Sequence, residues 1–146
     1  MNLSVRALPA ILAAVFLTGV SHVPAAAAQA TCTPCNGYRY QVPGTTAVYL
    51  VIDGVRHHVP DERTYFNLWR TWDGILPGGT NITVGDPLLS NSYLGQEDFW
   101  PYRVYLVGRS KRWIPSPAIF DQYAFDWAKI QHPENMPGAG PDIPGR

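Results

Sequence analysis

Few residues in this chain could carry covalent chemistry, and each has a rival structural reading. Cys32 and Cys35 are the only cysteines, in the run Cys-Thr-Pro-Cys. That spacing suits disulfide exchange, which needs the first thiol at a helix N-terminus in a βαβ setting to lower its pKa. Here Asn36-Gly37, a turn signal, follows, and then the strand-like run 38–42. A structural staple formed in an oxidising compartment suits this context better, with redox exchange and pairing to another chain as the other two options. Two cysteines without nearby histidines do not make a zinc site, because four ligands are the rule. His57 and His58 are adjacent, so in a strand they face opposite ways and do not easily share a metal. His58 reads as a packing residue and His57 as solvent-facing. No metal or other cofactor is expected.

The carboxylates offer a second possibility. Asp121 and Asp126 flank the end of a predicted helix, and Glu97-Asp98 lies upstream. Glycoside hydrolysis needs two carboxylates held at a set separation across a cleft, and nothing in their spacing establishes that. Asp126 reads better as the cap of a turn before Trp127. The chain has no G-x-S-x-G, H-E-x-x-H, P-loop or strand-borne G-x-G-x-x-G motif. A small secreted hydrolase using Glu97, Asp121 or Asp126 is therefore the alternative reading, beside a CxxC redox protein.

The aromatic residues point to binding. All five Trp and all eight Tyr fall after residue 30. An aromatic ring offers a large apolar face, with a polar handle in Trp and Tyr, and serves core and interface alike. Exposed rings beside hydrogen-bonding side chains suit a sugar. Trp100, Tyr102, Trp113 and Arg112 are the candidate binding residues. Phe99-Trp100-Pro101-Tyr102 is read either as a lid on the core or as an exposed platform.

The elements that position these residues come in two copies. Val48 to Ile75 and Val104 to Ile130 share VYLV at their start, then Pro60 with Pro115, Trp72 with Trp127 and Ile75 with Ile130. The offset is 56 before a one-residue gap and 55 after it. Each copy reads as strand, turn, strand, short helix. Asp53-Gly54 is a two-residue hairpin signal; Arg109-Ser110 is a poorer one. Asp61 caps the first helix, and Ser116 with Pro117 opens the second. Thr64, Tyr65 and Leu68, matching Ile119, Phe120 and Tyr123, share one helical face. The run 38–42 adds a strand beside the first hairpin. The connector 76–102 contains a possible strand at Ile82–Val84 and a buried turn around Leu88-Leu89 and Tyr93-Leu94.

These copies resemble a repeat of exported bacterial, often actinobacterial, envelope-associated proteins of unassigned activity, with the pattern VYLV..G..R.IP....F....W..I. The residues that carry it are Val48–Val51, Gly54, Arg56, Pro60 and Trp72, then Val104–Val107, Lys111–Pro115, Ser116-Pro117, Phe120 and Phe125-Asp126-Trp127. The first copy departs at Trp69-Arg70-Thr71. The resemblance implies an envelope or extracellular setting and no particular reaction.

Residues 1–30 read as a secretory signal peptide: Arg6 in the charged region, an apolar run at 7–20 too short to span a bilayer, and Ala28-Gln29-Ala30 as the cleavage site. Without Arg6, ten basic residues stand against eleven acidic ones. No basic patch exists to grip phosphates, so nucleic acid is not an expected partner, and no stable membrane insertion is expected after cleavage. The fold class is α+β: one small domain, 31–132, of two tandem strand-turn-strand-helix repeats (48–75 and 104–130) with hairpins packed on short helices. A Pro/Gly-rich tail, 133–146, is expected to be extended or disordered. The functional expectation is an exported, non-catalytic binding or scaffold module, with a cell-wall glycan or an extracellular protein as partner.

Overall fold

The computed structural model describes residue 19 and residues 27–146, so the expected leader lies almost wholly outside the described residues. The chain is α+β. Among the described residues seven strands form two sheets: β1 (Arg39–Gln41), β2 (Val48–Ile52), β3 (Val55–His58) and β4 (Ile75–Pro77) in one, β5 (Tyr93–Gln96), β6 (Val104–Val107) and β7 (Lys111–Trp113) in the other. Two short helices, α1 (Glu62–Phe66) and α2 (Pro117–Gln122), lie beside them, with 3-10 turns at Thr33–Cys35 and Trp127–Lys129. Among the described residues no helix is long and apolar enough to cross a membrane.

The first sheet has the order β3-β2-β1-β4. Asp53 and Gly54 both take positive φ, as the two-residue turn between β2 and β3 requires. Its register sets Tyr49 opposite His58, Tyr40 opposite Tyr49, and Tyr40 beside Leu76 in the parallel β1–β4 pair. The second sheet runs β5-β6-β7, with Gly95 opposite Tyr105 and Tyr105 opposite Trp113. A parallel bridge joins Gly95 to Gln131, beyond α2. The VYLV runs bury Val48, Leu50 and Val51 from β2, with Ile52 after them, and Tyr105, Leu106 and Val107 from β6.

Helices of five or six residues are not stable alone; caps and a buried face hold them. The Asp61 carboxylate accepts the Thr64 N–H at 2.7 Å, and the Ser116 hydroxyl accepts the Ile119 N–H at 3.2 Å. Thr64, Tyr65 and Leu68 are buried in the first helical segment, Phe120 and Tyr123 in the second. The stretches after the helices then engage each other: the Trp69 indole N–H donates to the Tyr123 carbonyl at 3.0 Å, and the Asp126 N–H to the Leu68 carbonyl at 2.9 Å. Trp69 sits in the middle of the core, against Tyr65 and Phe125.

Two segments differ from expectation. The tail is extended but docked. Lys111 N–H donates to Gly138, Gly140 N–H to Lys111, and Ile143 N–H to Trp113, so the tail covers the free edge of β7. Ile143 is fully buried in the core. A composition poor in apolar residues suggests disorder, yet one buried isoleucine on an edge-covering strap anchors it. Proline, with its fixed φ, also loses less entropy when ordered there. In the connector, Ile82–Val84 forms only bridges, to Ala30 and Arg56, and 93–94 belongs to β5 rather than to a turn.

Cys32 and Cys35 are joined as a disulfide within the first 3-10 turn, where the Pro-bearing loop turns back on the β2–β3 hairpin. Cys32 N–H donates to Gly54 and Gly37 N–H to Val51. The wholly buried Asn36 accepts the Gly54 N–H at 2.8 Å and donates to the Gly145 carbonyl at 3.0 Å.

Candidate functional site

A groove of about 440 Å³ opens beside the second sheet, between the end of β7, the start of α2 and the turn Trp127–Lys129. Trp127 forms one wall. Its ring lies on Phe120 at 3.9 Å between centroids and 28° between planes, yet the residue stays 48% exposed. The Asp126 carboxylate caps this turn by accepting the Ala128 N–H, and Asp121 accepts the Trp127 indole N–H at 2.8 Å. Trp113 and Pro115 line the opposite side. The Arg103 guanidinium lies 4.6 Å from the Trp113 ring centre and gives the groove its one fixed charge. The rim residue Tyr102 belongs to a loop with two more exposed rings, Trp100 at 81% and Phe99, which borders the separate cavity beside Glu97. Tyr102 takes φ 57, and its ring meets Trp100 edge-on at 6.2 Å.

Of the four expected binding residues, Trp113 and Tyr102 line this groove, and Trp100 is exposed beside Tyr102 without being among the lining residues. Arg112 does not reach it. A strand alternates its side chains, so Arg112 and Trp113 point apart. Arg112 pairs with Asp53 at 2.9 Å and donates to the Pro141 and Asp142 carbonyls. Arg103, Phe120 and Trp127 were not on the expected list. The signal for Arg103 was the register: Tyr105 opposes Trp113, which sets the residue two places earlier on a diagonal to that ring.

A second groove, of about 540 Å³, lies beside the first sheet. Trp72 is its wall, stacked on Tyr65 at 3.9 Å and 24°, and 46% exposed. His58 and Pro60 line it, with Asp61 and Glu62 at the start of α1. Hydrogen bonds from the Ser90 hydroxyl and the Thr64 N–H hold the Asp61 carboxyl below its ordinary pKa. His58 leans on Tyr49 at 5.3 Å, while His57 turns to the Asp86 carbonyl at 2.6 Å.

The three carboxylates considered for catalysis share no described cavity. Burial raises the Glu97 pKa, but hydrogen bonds from Tyr105 at 2.8 Å and Lys111 at 3.1 Å outweigh it and hold it below the ordinary value. Asp126 is lowered by Arg70 and by the Ala128 N–H. Asp121 holds Trp127. Glu97 borders a cavity of about 190 Å³, Asp126 another of about 290 Å³, and no cavity described contains two of the three. Among the described residues no three His, Cys, Asp or Glu side chains gather in a way that could hold a metal. Comparison with protein-family models, with characterised proteins and with solved structures returned no match.

Proposed function

We propose that this chain is an exported, non-catalytic binding module of the cell envelope or extracellular space, built as a tandem repeat, that holds a glycan in the groove beside Trp113 and Trp127. The repeat reading is supported by the same construction recurring at a spacing of 55 or 56. Tyr40 with Leu76 and Gly95 with Gln131 are equivalent parallel pairs. Tyr65 on Trp72 and Phe120 on Trp127 are equivalent stacks. The strap extends the match: Thr83, Gly85 and Leu88 bond to β3 as Gly138, Gly140 and Ile143 bond to β7. On this reading the tail is the closing segment of the second repeat. The grooves correspond as well, since each lining residue of one has its counterpart in the other.

The observation that carries the binding reading is the loop that supplies Tyr102. The first repeat turns from β1 to β2 through Pro43-Gly44-Thr45-Thr46. At the matching place the second repeat spends Phe99, Trp100, Pro101 and Tyr102 and leaves the three rings exposed. A turn that Gly and Thr can make does not need three solvated aromatics for folding, and exposed clustered rings mark interaction sites. A half-exposed indole backed by a second ring presents a flat, rigid apolar face, which matches the face of a sugar. The expected leader and the resemblance to exported repeat proteins support the location, and the disulfide is compatible with it.

The test is retention of the processed protein on purified cell-wall glycan. Trp127→Ala and Trp100→Ala should each lower retention at least about tenfold, a loss of about 1.4 kcal/mol, with folding checked by circular dichroism. Retention no greater than on an inert polysaccharide sinks the glycan reading. Capture by a wall protein after glycan digestion would transfer the site to a protein partner.

A further inference from the structure

The two grooves share their scaffold but not their charge. Arg103 in the Trp127 groove stands where the Trp72 groove has Ala47. Ser116 and Pro117 in the former stand where the latter has Asp61 and Glu62. The fixed charge from Asp, Glu, Lys and Arg is therefore +1 in one groove and −2 in the other. The framework around both is alike in its Trp wall, the ring behind it and the proline opposite. Just outside the linings, Arg63 lies near Asp61 and Asp121 accepts the Trp127 indole N–H, so the contrast is that of the lining residues themselves. Neither acidic residue is needed there for the fold in kind. Ser116 caps α2 as well as Asp61 caps α1, and Pro117 occupies the place of the exposed Glu62.

We propose that the Trp72 groove is a second ligand site, which takes a sugar unit bearing a free, protonated amine, so that one molecule bridges two glycan segments of different charge. This rests on the glycan reading of the Trp127 groove. Asp61 and Glu62 attract the ammonium group, and the face of Trp72, whose other side is held by Tyr65, stacks on the ring and adds a cation–π attraction. Arg103 repels the same ligand from the other groove and favours a neutral or carboxylate-bearing unit. Two sites on one rigid body give cross-linking without oligomerisation, and avidity for a wall that displays both units.

The experiment uses the processed protein and three probes: hexamers of glucosamine with protonated amines, of N-acetylglucosamine, and of galacturonate. Indole N–H resonances in NMR report the grooves separately, Trp72 for one and Trp113 with Trp127 for the other. The glucosamine hexamer is expected to shift Trp72 and to bind there at least about tenfold more tightly than the acetylated hexamer. Glu62→Gln is expected to weaken that binding about fivefold and to leave the shifts at Trp127 unchanged. Glu62 is exposed and makes no side-chain hydrogen bond in the structure, so this variant keeps the fold, whereas Trp72→Ala removes a ring that packs on the buried Tyr65. Equal affinities of all three probes at Trp72, or a Glu62→Gln variant that binds like the parent, overturn the charge-selective site while the Trp127 reading stands. Shifts at Trp72 with a lysine-rich peptide that the glucosamine hexamer cannot displace overturn the sugar assignment. Silence at Trp127 with every probe overturns the glycan reading itself.

Discussion

Among the described residues, Arg56 is the one with a buried side-chain polar atom left without a partner. It is buried, its Nε donates to the Ile82 carbonyl at 3.1 Å, and its guanidinium lies over Tyr49 at 4.6 Å. Its Nη1 is buried with no hydrogen-bond partner. The matching cation, Lys111, lies over Tyr105 at 4.8 Å and has what Arg56 lacks, the Glu97 carboxylate, which also accepts from the Tyr105 hydroxyl. Val42 stands fifty-five residues before Glu97. An unpaired polar group in a protein interior costs about 1–3 kcal/mol, more when charged. Val42→Glu is therefore expected to stabilise the protein by about 1 kcal/mol and raise Tm by about 4 °C, read by thermal melting. A lower Tm would mean that the carboxylate loses more in desolvation than Arg56 and Tyr49 return. None of this was visible in the residues alone. Arg56 and Lys111 align in the two copies, but the partner lies outside the segment that aligns.

At the level of elements, the hairpin turn at Asp53-Gly54, both helix caps and the added strand at 38–42 were readable because local chemistry decides them: positive φ, a side-chain acceptor, alternating tyrosines. The strand 93–96 and the straps were not, because Gly95 and Gly85 carry no strand propensity and sheet pairing holds them. The caps differ in one testable way. The folded-state pKa of Asp61 is depressed, so its contribution is fully present above the ordinary carboxylate pKa and is lost as pH falls through the folded value. Asp61→Asn keeps a capping oxygen without the charge. It is expected to be less stable than the parent near neutral pH by about 0.5–1 kcal/mol. The difference should vanish as pH drops below the ordinary carboxylate range. Ser116→Ala should instead lose about 1 kcal/mol at every pH. Denaturant melts across pH separate the two; a pH-independent loss in Asp61→Asn would remove the ionised cap from the account.

Across the whole molecule, the expected α+β class agrees with the structure, and eight of the eleven residues lining the Trp127 groove lie in the segment 104–130, whose pattern was readable. What could not be read was which long-range partner each segment takes. Trp69, where the first copy departs from the repeat pattern, is the ring at the centre of the core, and Ile143, inside a proline-rich stretch, closes that core. Ile143→Ala should cost about 3 kcal/mol, within the usual range for a buried aliphatic cut to alanine. It should also loosen the edge of β7, seen as faster hydrogen exchange at Lys111 and Trp113. A loss under about 1 kcal/mol would mean that the strap rests on the surface.

The Asn36 side chain ties residues near the disulfide to Gly145, while Arg146 reaches back to the Asn36 carbonyl and lies over Tyr38 at 3.7 Å. The clasp thus holds the C-terminal residues against the turn that carries the disulfide, while the bend at Trp100 is exposed and outside every strand. A chain clasped in this way suits circular permutation: joined across the clasp and opened at the bend, it would keep every strand pairing while dismantling the aromatic loop, which separates the ability to fold from the ability to bind.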